Sequence, residues 1–461
     1  MDARGNWGSK FGFVLAAAGS AVGLGNLWKF PYITWHNNGG AFVLVYLVAV
    51  IIIGWPIMMA EIIIGRRARN NPVPAFEKLG GKKWSLVGWL GVITGLVILG
   101  YYSVIAGWTL TSFTKCLKWS FSGYVKPGED AFTNFMGNGQ LQLLLAFIFL
   151  VVTALVIWRG VKKGIERTTK ILMPVLFLIL IYLVIMVMSL PGRDETFKFL
   201  FKPNFANLPA AGILEAVGHA FFTLSLGMGA MITYGSYMRK KDSIAKNAGM
   251  VVFLDTLIAI CACIIMYTII FSVPSVREGV SGSTIGMLFI TLPDLLYSNI
   301  PFGSTIAPIF YILVAFAALS STISLLEVLT SLLIDKLKWT RKKATIVAAC
   351  AAYLVSILCA LSLGAAPFLS EWQIFGKGKE GVLNTLDHLA ANWMLPLGGL
   401  FITIFVGWVL DKKICRDEVA LYNADGSPKF TYKAFRFLIR YIAPLAILAV
   451  IIAVFTGWDF S

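Results

Sequence analysis

The stretch Gly19–Pro31, GSAVGLGNLWKFP, interrupts the first long apolar run where a lipid-facing helix should be most regular. Residues Phe11 to Ala18 before it suit the first half of a membrane helix. Gly19, Gly23 and Gly25 then fall within seven residues, joined by Ser20 and Asn26. Glycine weakens a helix and eases departure from it, so the cluster predicts a local break. In hydrocarbon a break is tolerated only where protein or a water-filled cavity receives the freed N–H and C=O groups. Freed carbonyls are also good ligands for a bare cation. The stretch is read as an unwound ion and substrate site at membrane mid-depth, and the rest of the chain as its housing.

The housing is apolar. Of 461 residues, 58% are hydrophobic and 13% charged, against roughly 25% charged in a soluble domain. The apolar residues come in long runs, which predicts an all-α polytopic membrane protein in contact with lipid. The net charge of +16 would suit nucleic acid, but the cations cluster in short loops between apolar runs. Membrane topology explains that pattern without a nucleic-acid partner. Six cysteines lie mostly inside apolar runs, three histidines have no metal-ligand spacing, and no HExxH motif occurs, so no enzyme is predicted. Charges precede the first run and nothing resembles a cleavage site, so that run is read as a retained span.

About eleven spans, each needing about 20 apolar residues, fit over 11–35, 41–66, 86–115, 141–158, 168–190, 213–238, 247–272, 304–334, 342–362, 383–410 and 438–457. Lysine and arginine crowd the loops after the second, fourth, sixth, eighth and tenth. Arg66, Arg67 and Arg69 are examples, as are Lys162, Lys163, Arg239 and Lys240. The N-terminus is thus expected in the cytoplasm. No Asn-x-Ser/Thr acceptor occurs, which suits a prokaryotic cytoplasmic membrane.

The sixth span carries a second interruption, FTLSLGMGA at Phe222–Ala230, whose Gly227-x-Gly229 echoes Gly23-x-Gly25 about 200 residues earlier. Glycine-interrupted segments at matching places in two halves point to the binding site of a secondary transporter. The halves would be 1–190 and 191–411, each of five spans and inverted with respect to one another, with 412–461 holding a loop and an eleventh span. With 43 glycines in the chain, chance recurrence of the pair is the competing reading.

Together with these breaks, the chain carries Trp7, NNGGAF at 37–42, Glu61 with Gly65-Arg66, and Tyr101-Tyr102 with Trp108. It also carries FFTLSLGMGA at 221–230, Tyr234, Ser236-Tyr237, and Ala317–Ser321 with Asp335. In that order they resemble the neurotransmitter:sodium symporters, specifically the compact bacterial amino-acid transporters of the leucine-transporter fold. The resemblance implies two sodium ions. One would meet the carbonyl of Ala21, the amide of Asn26, Thr223, Asp255 and the carboxylate of a bound amino acid. The other would meet the carbonyls of Gly19, Val22 and Ala317 and the hydroxyls of Ser320 and Ser321. All are oxygen donors of the kind hard cations prefer. Serine and threonine in apolar helices also bond their own backbone, which is the plainer reading of the hydroxyls.

The resemblance further implies a substrate pocket of Ala21, Gly23, Gly25, Ile98, Tyr102, Phe222, Ser225, Met228, Ser321 and Leu325. Monoamine carriers of the family have an aspartate where Gly23 stands, so an α-amino acid is favoured over a biogenic amine. Ile98, Phe222, Met228 and Leu325 suggest an apolar or aromatic side chain. Asp255 replaces the usual asparagine, and an ionisable residue inside a span is costly enough to imply a function. It is the candidate for the negative charge that animal members obtain from chloride, so no chloride is expected. The alternative is an aspartate snorkelling to the cytoplasmic face.

For gating, the resemblance implies a cytoplasmic ion pair of Arg4 and Asp335 with Tyr237 nearby, and an outer gate at Lys29, where the family usually has arginine. His219, at a glutamine position, is either an ordinary pore-mouth histidine or a pH-sensitive gate. Gly164 and Pro174 flank a stretch that similar carriers unwind to release sodium, with a static proline kink as the alternative. The function expected is sodium-coupled import of a neutral, hydrophobic or aromatic L-amino acid by alternating access. The alternatives are the same fold carrying GABA, glycine or an osmolyte, and an ion channel.

Overall fold

The computed structural model describes residues 5–128, 130–273, 284–375, 379–419 and 430–458. Among them the regular structure is helical, with no strand. The apolar segments are α1 (Lys10–Ala21), α2 (Gly25–His36), α3 (Gly40–Ala68), α4 (Lys82–Ser122), α5 (Gly139–Trp158), α6 (Val161–Val187) and α7 (Ala210–Thr223). They continue with α8 (Ala230–Ser236), α9 (Ile244–Phe271), α10 (Gly303–Leu337), α11 (Arg341–Leu361), α12 (Val382–Val409) and α13 (Tyr432–Phe455). Among the described residues nine of these are each long and apolar enough to cross a membrane, and α1 with α2 makes a tenth, bent by 53°. The expected eleven are reached by counting the short pair α7 and α8 as one interrupted crossing.

Burial separates the housing from the scaffold's rim. The apolar windows of α4 and α10 are each 78% buried, whereas that of α6 is 28% buried. α4 and α10 pack together at the centre, with α1 against α10. On α6, Ile171, Leu178 and Ile185 stand exposed seven residues apart, a stripe that only lipid would cover in a chain of this kind.

Small residues set how closely the central segments approach. A Cβ on Gly65 of α3 would run into the carbonyl of Ile232 on α8, and one on Gly235 of α8 would lie 2.9 Å from Ile62 Cα. Neighbouring Arg66, counted among the cations after the second span and part of the Gly65-Arg66 motif, is buried. Its Nε lies 2.6 Å from Glu418 Oε2, and its other nitrogens donate to the carbonyls of Asp242 and Glu418. A buried guanidinium needs such partners, and Glu418 is 352 residues away in the chain. The six cysteines are free, so no disulfide staples the bundle.

Because α3 and α8 meet backbone to backbone, Gly65→Ala should overpack that contact by roughly 1–3 kcal/mol. A lowered thermal denaturation midpoint of the detergent-solubilised protein would show it, and an unchanged midpoint would refute the close approach.

Candidate functional site

α1 begins at an N-cap, Ser9, whose hydroxyl accepts the Gly12 N–H at 2.9 Å. It ends when Val22 turns extended (φ −70°, ψ 106°), its N–H still bonded to Ala18 O at 2.7 Å. α2 restarts at Gly25. The break is thus confined to Val22 and Gly23, narrower than the glycine cluster suggests. Gly19, Ser20 and Ala21 form the last turn of α1, while Gly25 and Asn26 open α2. Two freed N–H groups are capped locally. Gly23 N–H donates to Asn26 Oδ1 at 3.0 Å, and Leu24 N–H donates to the Tyr102 hydroxyl oxygen at 3.0 Å. Tyr102 therefore accepts from the break and keeps its own proton to donate.

The break between α7 and α8 is longer. Ser225, Gly227 and Gly229 all take positive φ (54°, 84° and 77°). For serine that conformation is uncommon. Its hydroxyl reaches across and donates to Ser20 O at 2.7 Å, tying one break to the other. Gly227 N–H donates to Oε1 of Glu61, which is fully buried in α3. Glu61 belongs to the motifs that carry the family resemblance, but its partner lies 166 residues away and is not visible in the sequence.

Between the breaks lies a cavity of about 30 Å³, room for two or so waters. All ten residues expected to form a substrate pocket line it: Ala21, Gly23, Gly25, Ile98, Tyr102, Phe222, Ser225, Met228, Ser321 and Leu325. Ser20, Thr223, Ser324 and Leu395 complete the wall. Ser20 Oγ is a buried hydroxyl without a partner among the described residues. The Phe222 ring stands where a Cβ on Gly25 would meet it at 2.9 Å, and Lys29 Nζ sits 5.1 Å from that ring's centroid. The expected outer-gate cation thus rests on an aromatic face.

Of the residues expected to hold the first ion, Asn26, Thr223 and Asp255 bond to one another, and Ala21 and Thr223 line the cavity. Asp255 is fully buried, which removes the snorkelling alternative. Its Oδ1 accepts from Asn26 Nδ2 at 2.7 Å and from Thr223 Oγ1 at 3.0 Å, and Tyr46 reaches Oδ2 at 3.4 Å. Asn26 presents its NH₂ to this carboxylate and its oxygen to Gly23. A cation here would require the amide to turn over, a reorientation of one side chain. The second set meets where α1 crosses α10. Ser320 Oγ donates to Ala317 O (2.9 Å) and Val22 O (3.3 Å), Ser321 Oγ lies 3.4 Å from Val22 O, and a Cβ on Gly19 would be 3.2 Å from Ser320 Cβ. The back-bond of Ser320 to Ala317 is the plain helix role, and the reach to Val22 adds the crossing.

His219 is buried rather than solvated. Its ring stacks on Phe30 at 5.4 Å and lies 5.7 Å from Tyr46, and neither nitrogen has a hydrogen-bond partner among the described residues. It packs as an aromatic ring.

At the Trp7 end of the bundle, Trp7 plugs the space below α1. Its indole donates to Tyr234 O at 3.0 Å and its ring sits edge-on to Phe13, Tyr234 and Tyr237. Arg4 lies outside the described residues. Asp335 Oδ2 accepts the Asn71 N–H at 2.7 Å. Tyr237 donates to Glu327 Oε1 at 2.7 Å, and Arg341 grips both Glu327 oxygens at 2.8 and 2.9 Å. From the sequence Arg341 reads only as one of the loop cations after the eighth run, and Glu327 is not singled out; a glutamate inside that apolar run is the available signal. Between Gly164 and Pro174, α6 is wound, opening on a widened turn over Val161–Glu166. A Cβ on Gly164 would strike the Val156 carbonyl. Glu166 holds Gly8 N–H at 2.6 Å, Ser9 Oγ at 2.8 Å and Lys170 Nζ at 2.6 Å.

A profile described as the sodium:neurotransmitter symporter family matches residues 4–132 and 129–459. An uncharacterized sodium-dependent transporter of Bacillus subtilis (strain 168), YhdH, is 36% identical over 446 residues, 96% of each chain. An uncharacterized sodium-dependent transporter of Haemophilus influenzae is 31% identical over 98% of each chain. The crystal structure of MhsT in complex with L-phenylalanine superposes with a TM-score of 0.85 at 40% identity, over 98% of this chain and 99% of that one.

Removing one partner of a buried ion pair costs about 3–5 kcal/mol, because the other charge is left uncompensated. Arg341→Gln should lower the thermal midpoint strongly, and adding Glu327→Gln should recover much of it. A double variant as unstable as the single would contradict the pairing.

Proposed function

The chain belongs to the sodium:neurotransmitter symporter family, whose members are sodium-dependent transporters rather than enzymes; from that premise we propose that it imports a neutral, hydrophobic or aromatic L-amino acid by alternating access, driven by sodium and independent of chloride. The observation that carries the reading is the shared cavity of the two breaks, polar at one end and apolar at the other. At the polar end the Tyr102 hydroxyl and the first turn of α2 would receive the substrate carboxylate, since a helix N-terminus carries partial positive charge. At the apolar end Ile98, Phe222, Met228 and Leu325 would receive the side chain. A Cβ on Gly23 would lie 2.7 Å from Ser321 Oγ and 3.0 Å from the Tyr102 oxygen. An aspartate to pair with a biogenic amine therefore has no room there, which supports a zwitterion. The similarity to MhsT, whose crystal structure is a complex with L-phenylalanine, supports an aromatic side chain. Met228 is the flexible wall that would yield to it.

Two sodium ions would bind, one among Ala21, Asn26, Thr223 and Asp255 with the substrate carboxylate, the other among Gly19, Val22, Ala317, Ser320 and Ser321. An ion and a zwitterion that share a ligand set lower one another's free energy, and that coupling is mutual. The Asp255 carboxylate would supply the negative charge beside the first ion, the basis for chloride independence. Residues 1–190 and 191–411 would be the inverted halves, in a prokaryotic cytoplasmic membrane with the N-terminus inside. Release to the cytoplasm would part Tyr237, Asp335 and Arg4 and unwind α6 between Gly164 and Pro174, while Lys29 and Phe222 close the outer side.

Uptake into proteoliposomes tests this. Radiolabelled tryptophan or leucine should enter saturably, only with a sodium gradient, and equally when gluconate replaces chloride. Competition by glycine or GABA alone, or flux that neither saturates nor needs sodium, would overturn the assignment. Asp255→Asn should cut chloride-free uptake about tenfold or more, one lost charge-assisted interaction; unchanged uptake would remove the proposed role of that carboxylate.

A further inference from the structure

A second cavity shares no lining residue with the central one. It measures about 460 Å³, within the range of pockets that take small organic molecules, about 300–1,000 Å³. Four pieces of chain enclose it: the Thr111–Trp119 end of α4, the loop residues Tyr124 and Lys126 to Gly128, a short helix at Ala131–Gly137, and the segment from Phe289 to Leu295. α4 presents Thr111, Ser112, Lys115, Cys116 and Trp119 to the cavity. Leu117 and Phe121, on its other side, stand exposed. The cavity is therefore a recess between these pieces, distinct from the lipid-exposed face of α4.

The walls are built rather than incidental. Tyr297 donates to Cys116 O at 2.5 Å and stacks on Tyr124 at 5.0 Å between ring centroids, with Trp119 edge-on to both. Phe132, Phe135 and Phe289 supply a broad aromatic lining. The charges are unequal. Asp294 is fully engaged, with Lys126 Nζ at 3.0 Å, Tyr124 hydroxyl at 2.9 Å and Ser298 hydroxyl at 3.1 Å. Burial would raise its pKa, yet these donors hold it below the usual carboxylate range. Asp294 and Lys126 thus cancel. Lys115 has no carboxylate within ion-pair distance among the described residues, and its Nζ lies 4.8 Å from the Phe135 centroid. One ammonium is left at the wall of an aromatic recess.

We propose that this cavity binds an organic monoanion with a flat aromatic body, an aryl carboxylate. Lys115 receives the carboxylate, with Thr111 and Ser112 hydroxyls beside it, and Phe132, Phe135 and Phe289 hold the ring system. A cation of the same shape is disfavoured, because it meets Lys115 unshielded. The site is independent of the transport reading and of the central cavity.

Calorimetric titration of the full-length detergent-solubilised protein with 1-naphthoate tests it, with 1-naphthylmethylamine as the cationic counterpart. Naphthoate should bind saturably at one site, and saturating L-phenylalanine should leave that binding unchanged. Lys115→Gln should weaken it about tenfold, the loss of one charge-assisted hydrogen bond, and Ala131→Trp should abolish it by filling the recess. Lys115 is exposed and does not line the central cavity, so Lys115→Gln should keep its gel-filtration profile and its sodium-dependent uptake. Absence of saturable naphthoate binding, equal binding of the amine, equal affinity in Lys115→Gln, or displacement by L-phenylalanine would each overturn the proposal.

Discussion

The two helix breaks hold one another, and the site exists because of that. Ser225 sits in a left-handed conformation that costs of order 1–3 kcal/mol for a residue other than glycine. It persists because its hydroxyl is anchored on the carbonyl of Ser20, 205 residues earlier. In an apolar interior every freed backbone group needs a partner. Leu24 finds Tyr102, Gly23 finds Asn26, and Gly227 finds Glu61. Each of these links runs through a side chain that also borders the site or supports it. Exchanging an internal partner for a transported one is therefore a local event with consequences for both breaks.

Around that centre the molecule uses ionisable groups sparingly and in company. Asp255, Glu61 and Glu327 are all fully buried, each bonded by named donors. Arg66 is gripped by a glutamate from a distant part of the chain, and Arg341 by one from the preceding helix, α10. A lone buried charge would be ruinous at these depths, so each network stands or falls as a unit. That all-or-none character suits elements that must occupy a few discrete arrangements.

The two breaks were legible in the chain because glycine clusters and a polar interruption of an apolar run carry a physical signal, whereas the pocket residues on other helices, such as Ile98, Tyr102 and Leu325, followed only from the family resemblance. All ten pocket residues surround the cavity. The extent of the first break was less legible, since helices tolerate glycine: Gly19 and Gly25 remain helical and only Val22 and Gly23 leave the helix. The true partners of Arg66, Glu61 and Glu327 could not be read, because pairing across 14 to 352 residues leaves no local pattern. His219 misled for a related reason. A titratable ring is read as polar, but enclosed by Phe30, Tyr46 and Phe222 it serves as a flat hydrophobe.

Glu166 carries a mechanical implication. Its single carboxylate clasps the peptide of Gly8, the hydroxyl of Ser9 and the ammonium of Lys170, so the lead-in to the first helix and the opening turn of α6 are fastened by the same clip. Loosening either strand forfeits the other's fastening as well. The approach to Trp7 and the turn at Val161–Glu166 are consequently coupled through one side chain, so displacing either breaks bonds that the other relies on.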